Sequence, residues 1–129
     1  MGKIRHLLLL VLLAFATTSA MAQNNVDALV QNLQTANFNN LLPFWDQQVE
    51  VTLLDMVNQK QMSATEANQQ LQLFFNKKSI LGFEKNAERK VGNTIYVTGK
   101  LLSGQNKYSL TLLLQEVKKG VTIVSVRVS

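Results

Sequence analysis

The reactive side chains of this 129-residue sequence are carboxylates, tyrosines and lysines, because it has no cysteine and a single histidine, His6. The missing cysteines exclude disulfides, thiolate catalysis and cysteine-ligated metal clusters. Downstream of His6, a Ser-His-Asp triad, a Cys-His dyad and histidine metal sites are excluded as well. The sequence also contains no phosphate-binding loop, dinucleotide fingerprint or calcium loop. We therefore expect no metal and no cofactor.

Without cysteine and with histidine only at position 6, a carboxylate and a tyrosine phenol remain as a possible catalytic pair. Asp46 follows the aromatic residue Trp45, and Tyr108 shares its alternation with Leu110 and Leu112. An aspartate can abstract a proton while a tyrosine donates to the developing oxyanion. Asp46 and Tyr108 are thus the candidate catalytic residues of a small isomerase- or hydrolase-like enzyme. The alternative is structural: Asp46 begins a turn, and Tyr108 is a core residue with its hydroxyl at the rim.

Aromatic side chains give a second candidate site, an apolar pocket for a small ligand. Ligand pockets are lined mainly by aromatic and aliphatic groups, with a few polar ones that fix the orientation of the ligand. The alternative is plain core packing, because aromatic residues at helical spacing are typical of a core. The candidate pocket-lining residues are Trp45, Phe74, Phe75, Phe83 and Tyr108.

The front half of the chain, which must position these residues, is patterned for helices. Apolar residues recur at helical spacing between Val26 and Leu33, which predicts an amphipathic helix over residues 26–36. Pro43 interrupts the apolar segment that follows and limits it to a short second helix or turn. Val49–Leu53 alternates with polar residues and predicts one short strand.

A capping box marks the start of a third helix. Ser63 and Glu66 stand three residues apart, so the serine hydroxyl can accept a hydrogen bond from the backbone N–H of the glutamate. We expect this helix to end near residues 76–78, where lysines suit the negative end of the helix dipole. Its apolar side carries Ala67, Leu71, Phe74 and Phe75.

After Ser79 the apolar spacing changes from the helical period to strict alternation, which predicts strands. Turn residues at 92–93, 103–104 and 119–120 divide this region into four strands. Helices followed by antiparallel strands predict an α+β domain in the order α-α-β-α-β-β-β-β. The sheet must bend strongly to wrap the helices.

One face of this predicted sheet points away from the helices. Apolar residues that line up there would make an exposed patch, and exposed patches mark association sites. We expect a homodimer through this face. The alternative is that these are scattered apolar residues that need no partner. The proposed patch consists of Tyr96, Leu113, Val121 and Ile123.

Residues 1–22 have the three parts of a secretory signal peptide. A basic start with Lys3 and Arg5 precedes the apolar residues 7–16, and residues 20–22 form a small-x-small cleavage site. A membrane span needs about 20 apolar residues, so this shorter run predicts a cleaved leader and no span after its removal. We expect one domain over residues 23–129, located in the periplasm or outside the cell.

Charge is unevenly distributed over the predicted mature chain. Residues 23–72 carry five acidic and one basic side chain, whereas residues 73–129 carry ten basic and three acidic ones. The simpler interpretation is that the two halves attract each other. Past residue 22 the arginines are Arg89 and Arg127, fewer than a nucleic-acid-binding surface needs. We therefore expect no nucleic acid partner.

Six short segments of the predicted mature chain carry a resemblance: Leu33–Asn37, Phe44–Glu50, Ser63–Ala67, Leu73–Asn76, Tyr96–Leu101 and Tyr108–Leu110. They resemble a family of small exported Bacteroidota proteins of unknown function, and the resemblance covers essentially the whole predicted mature chain. It implies a nuclear transport factor two-like fold, also called SnoaL-like or cystatin-like, in which a strongly bent antiparallel sheet wraps helices into a cone. Some enzymes of this fold pair an aspartate base with a tyrosine, as considered for Asp46 and Tyr108.

Three functional hypotheses follow from the sequence. We favour a non-enzymatic exported domain that binds a small apolar ligand or a protein partner. The second hypothesis is the small enzyme built on Asp46 and Tyr108. The third is an accessory subunit of an envelope assembly that uses the basic sheet. An enzyme requires a carboxylate buried inside the cone, a ligand binder requires an open apolar cavity without such a group, and an interaction subunit requires a filled interior and a large exposed patch.

Overall fold

The structure is a computed structural model that describes residues 23, 25–104 and 106–129. The predicted signal peptide, residues 1–22, lies outside these residues. The described helical segments are α1 (25–34), α2 (Phe38–Leu41), a 3-10 turn (Leu42–Phe44) and α3 (Ala64–Lys77). The described strands are β1 (Trp45–Leu53), β2 (Val57–Ser63), β3 (Gly82–Val91), β4 (Thr94–Ser103), β5 (Asn106–Val117) and β6 (Gly120–Val128). In this part of the chain no helix is long and apolar enough to cross a membrane.

The described strands form one curved sheet in the order β2-β1-β6-β5-β4-β3. β1 pairs with β6 in parallel, and all other described neighbours pair antiparallel. Apolar residues of the three helices and of the sheet share one hydrophobic core. The predicted α+β class and its order of elements are confirmed, and the structure adds a second strand, β2, before α3.

β2 could not be predicted from the sequence because its residues do not alternate between apolar and polar. It lies at the edge of the sheet, and its side chains are exposed except for the buried Met62 and the half-buried Val57. Exposed polar residues, including Lys60, are typical of edge strands, where they discourage pairing with another chain. The edge position of β2 thus removes the periodic signal that would have predicted it.

α3 begins as the capping box predicts and buries the predicted face. The hydroxyl oxygen of Ser63 accepts a hydrogen bond from the backbone N–H of Glu66 at 3.2 Å. This bond satisfies one of the donors that the first helical turn leaves unpaired. The buried residues of the helix are Ala67, Asn68, Leu71, Phe74 and Phe75.

α3 ends in a Schellman motif without glycine. Ser79 has a left-handed φ of 53°. The backbone N–H of Ile80 donates to the carbonyl of Phe75 at 2.9 Å, and the N–H of Ser79 donates to that of Asn76 at 3.3 Å. These two bonds define the motif and reverse the chain towards β3. They leave the side chain of Lys77, the last helical residue, exposed at this end of the molecule.

β6 presents apolar side chains to the core on both sides of a bulge. Leu113 pairs with Ser125 while the next residue of β5 pairs with Ile123, so Val124 is an extra residue in β6. A bulge of this kind shifts the alternation of the strand by one residue. Val121 and Ile123 are therefore core residues, 7% and 0% exposed. The prediction that they belong to an exposed patch on the outer face is wrong.

Candidate functional site

Strand register separates the two candidate catalytic residues. Asp46 follows Trp45, which lies opposite Ile123 of β6, and Ile123 lies opposite Leu114 of β5. Tyr108 stands six residues before Leu114 on β5, which at about 3.3 Å per residue corresponds to about 20 Å of strand. The structure therefore places Asp46 and Tyr108 towards opposite ends of the sheet and does not bring them into one site.

The Asp46 carboxylate makes a local contact. Its Oδ1 accepts a hydrogen bond from the backbone N–H of Gln47 at 2.8 Å, and the residue is half-buried. Because its neighbour Trp45 points into the core, alternation along β1 directs Asp46 to the other face of the sheet. A base on that face cannot act on a ligand held between the sheet and the helices.

The candidate pocket-lining aromatic residues fill the interior of the domain. Phe38 of α2 packs edge-to-face against Phe75 of α3, with ring centroids 5.0 Å apart. Phe74 makes a similar contact with Tyr108, at 5.8 Å. Aromatic pairs at these distances and angles stabilise a core beyond the area that they bury. The structure thus assigns four candidates to core packing: Trp45, Phe74, Phe75 and Phe83.

A buried hydrogen-bond network joins β1, α3 and α2. The indole Nε1–H of Trp45 donates to Oδ1 of Asn68 at 2.9 Å, and Nδ2 of Asn68 donates to the carbonyl of Phe38 at 3.0 Å. Among the described residues no buried side-chain nitrogen or oxygen lacks a partner. Asn68 therefore has a structural role, because it bonds the indole of Trp45 and the carbonyl of Phe38, the first residue of α2.

Tyr108, the fifth candidate, is half-buried near the start of β5. It lines a shallow depression of about 460 Å³ together with Lys77, Lys78, Leu81 and residues of the β4–β5 turn. The hydroxyl of Ser103, in the wall of this depression, donates to the backbone carbonyl of Lys78. This depression lies at the surface beside the end of α3, so Tyr108 is accessible without an internal cavity.

The outer face of the sheet carries one row of side chains that crosses five strands. In this row Arg89 lies opposite Tyr96, Tyr96 opposite Leu113, Leu113 opposite Ser125, and Ser125 opposite Glu50. Tyr96 is 39% exposed, and Leu113 is half-buried by its neighbours on the same face. Of the four residues of the proposed patch, the structure brings these two together.

The row continues into an apolar hollow beside Tyr96. Its volume is about 450 Å³, and Ala87, Arg89, Val91 and Thr98 complete its lining. Val91 and Ala87 are exposed residues of β3 whose side chains share the outer face with Tyr96. Around this hollow the outer face therefore combines a large aromatic side chain, exposed aliphatic side chains and Arg89.

Sequence reasoning missed two features of these surfaces. Asn68 stands between Ala67 and Leu71 on the apolar side of α3, and a polar residue in that place is a recognisable signal for a buried hydrogen bond. Leu73, on the same helix, is exposed beside Lys77. An isolated leucine on a polar helix face gives no usable signal until the surrounding surface is known.

The comparisons with known proteins identify a family. The family described as Domain of unknown function (DUF4783) matches residues 17–129. No curated protein matches the sequence.

Solved structures share the fold at low sequence identity. A DUF4783 family protein from Bacteroides ovatus is 18% identical, with a TM-score of 0.70 over 78% of this chain and 90% of that chain. One from Bacteroides uniformis is 14% identical, with a TM-score of 0.71 over 80% and 94%. An NTF2-like protein of unknown function from Cytophaga hutchinsonii is 14% identical, with a TM-score of 0.58 over 84% and 88%. The predicted nuclear transport factor two-like fold is confirmed.

Proposed function

Because the chain belongs to the DUF4783 family, a domain family of unknown function, we propose its role from its own surfaces: it is a non-enzymatic interaction domain that pairs with a second copy of itself through the outer face of its sheet. The single observation that carries this proposal is the row of side chains from Arg89 to Glu50.

The interior of the domain supports binding at a surface rather than chemistry inside the sheet. Trp45, Phe74, Phe75 and Phe83 occupy the space between sheet and helices. Asp46 and Tyr108 lie about 20 Å apart along the strands, too far for a base and a phenol to act on one small substrate. The two candidate catalytic residues therefore do not form one site. The exposed apolar side chains lie at the surface of the domain.

The charges at the two ends of the row favour a second copy of this chain as the partner. Leu113 lies at the middle of the row, two strands from Arg89 and two strands from Glu50. A two-fold axis parallel to the strands and passing over Leu113 brings Arg89 of one copy over Glu50 of the other. Each dimer then gains two such pairs, and Leu113 packs against its own counterpart.

The centre of the face is mostly uncharged. The row that neighbours Leu113 contains Thr98 opposite Thr111, and both threonines are half-buried. The same row continues to Arg127, an exposed side chain opposite Thr111. Tyr96 adds a rigid aromatic side chain of the kind that dominates interface energies.

We also propose that the domain acts after export, in the periplasm or outside the cell. Residues 1–22 have the basic, apolar and small-residue segments of a signal peptide. The proposal that residues 23–129 are the working domain rests on the same pattern.

Substituting Leu113 with lysine tests the proposed dimer. We expect the wild-type domain to sediment as a dimer at micromolar concentration and Leu113→Lys to sediment as a monomer. Two unpaired ammonium groups would meet at the two-fold axis, where like charges are strongly unfavourable. The matched control is Leu42→Lys, because Leu42 is also an exposed leucine, 38% accessible, but belongs to the helical layer.

Analytical ultracentrifugation and a thermal unfolding curve complete this test. Leu113→Lys should keep a cooperative unfolding transition, since the lysine side chain reaches solvent from a half-buried position. A wild-type protein that stays monomeric at high concentration, or a Leu113→Lys variant that remains dimeric, would contradict the proposed function.

A further inference from the structure

A groove between α3 and the β1–β2 hairpin contains exposed apolar side chains that are not part of the hydrophobic core. Leu73 and Met56 are 59% and 43% exposed, and both line a groove of about 300 Å³. Val57, Phe74 and Lys77 also line this groove. This volume is at the lower limit of small-ligand sites, which suits one narrow apolar group.

The groove adjoins the depression beside Tyr108. Lys77 lines both hollows, and Phe74 of the groove makes its edge-to-face contact with Tyr108 of the depression. Leu73 and Lys77 are one helical turn apart on the same side of α3. The apolar groove therefore lies next to a surface that carries Lys77 and Lys78.

The two ammonium groups face no carboxylate. Neither hollow is lined by an aspartate or a glutamate among the described residues. The ion pairs found in this part of the chain join Lys85 to Glu88 and Lys90 to Glu116. Lysines at a helix C-terminus are stabilised by the helix dipole, which accounts for Lys77 but not for the exposed leucine and methionine beside it.

We propose that this surface binds a single-chain amphiphile with an anionic carboxylate head. The alkyl chain lies along Leu73 and Met56, and the carboxylate lies beside Lys77 and Lys78 in the depression that Tyr108 also lines. An apolar groove next to two cations matches one apolar chain with one anionic end. A folded protein partner would need a much larger contact area than this groove offers.

Titration with dodecanoate below its critical micelle concentration tests the proposal. We expect saturable binding with one site per chain, seen as amide chemical-shift changes confined to α3, β2 and the β4–β5 turn. Leu73→Gln should weaken binding roughly tenfold through lost apolar burial. Lys77→Gln should weaken it roughly fivefold, as expected for an exposed ion pair. The matched controls are Leu42→Gln and Lys119→Gln, which change the same residue types away from the groove.

Comparison ligands and variants distinguish the alternatives. The trimethylammonium compound with the same alkyl chain should bind at least roughly fivefold more weakly, because its head repels both lysines. Leu113→Lys should bind dodecanoate as the wild type does, which separates this proposal from the proposed dimer.

Four results overturn the proposal. Shift changes spread over the whole domain would show detergent-like denaturation. Equal affinity for the cationic compound would show that Lys77 and Lys78 do not bind the head group. Unchanged affinity of Leu73→Gln would show that the alkyl chain does not lie in the groove. Binding only to vesicles of anionic phospholipid, without binding of free dodecanoate, would indicate a membrane surface instead.

Discussion

Gly99→Ala is expected to destabilise the domain by about 3 kcal/mol, near the upper end of the cost of overpacking a core. Gly99 is buried in β4, opposite Lys85 of β3. A Cβ atom at this position would lie 2.6 Å from Cε1 of Phe83 and would collide with the backbone carbonyl of Glu84. The carbonyl belongs to the β3–β4 pairing, so it cannot move without disturbing the sheet. Urea unfolding measures the loss.

The glycine at position 82 provides the control for this prediction. A Cβ at Gly82 meets no atom within 4 Å. Gly82→Ala lowers the entropy of the unfolded chain and should leave stability unchanged or slightly higher. Equal unfolding midpoints for Gly99→Ala and the wild type would contradict the close approach of β3 to β4 and the position of Phe83 above Gly99.

Asn68→Leu is expected to cost about 3 kcal/mol in spite of adding an apolar side chain of similar size. The substitution leaves the indole N–H of Trp45 without its buried partner and removes one of the two hydrogen bonds that the carbonyl of Phe38 accepts, the other coming from the backbone N–H of Leu42. Each unsatisfied buried group costs about 1–3 kcal/mol. Chemical denaturation followed by Trp45 fluorescence reports the loss of stability and, in the folded baseline, the changed surroundings of the indole.

A double-mutant cycle identifies the network as the cause. Trp45→Phe removes the donor, so adding it to Asn68→Leu should cost less than the two single changes together. Asn76→Leu is the control, because Asn76 is exposed in the last turn of the same helix. Its stability should stay within about 0.5 kcal/mol of the wild type, as for most surface substitutions. A fully stable Asn68→Leu variant would contradict the buried network.

The parts of the fold that depend on local pattern could be predicted from the sequence. The change from helical to alternating spacing near Ser79 separates α3 from the four strands that follow it. The capping box at Ser63 sets the start of α3 within one residue. These signals arise within a few residues along the chain, where propensity and patterning act directly.

The parts that depend on pairing between distant strands could not be predicted. The parallel pairing of β1 with β6 determines that Asp46 and Tyr108 lie at opposite ends, and no local signal carries it. The bulge at Val124 reverses the alternation of β6. Since the strand is β-branched almost throughout, its two faces look alike in sequence, and Ile123 was expected on the wrong one.

The candidate site likewise has one part that local pattern predicts and one part that depends on pairing between distant strands. Tyr96 and Leu113 lie on the outer face because β4 and β5 pair without a bulge between them. The charges at the two ends of their row, Arg89 and Glu50, come from strands far apart in the sequence. Their alignment is visible only once the register of all five strands is known.

The two proposed surfaces lie on different sides of the sheet. α3 packs against β1 on the inner side, and the groove of Leu73 lies along this helix. The row centred on Leu113 lies on the outer side. A dimer through the outer face therefore leaves the groove open in both copies, and each proposal can be tested in a variant that removes the other.

A charge exchange between Arg89 and Glu50 tests the central claim most directly, with the dimer dissociation constant measured by sedimentation equilibrium. Arg89→Glu and Glu50→Arg should each weaken the dimer at least about tenfold, because each substitution places like charges together twice in a two-fold dimer. The double variant restores opposite charges and should dimerise nearly as well as the wild type. A double variant as weak as its parents, or four proteins with the same dissociation constant, would contradict the pairing of these sheets.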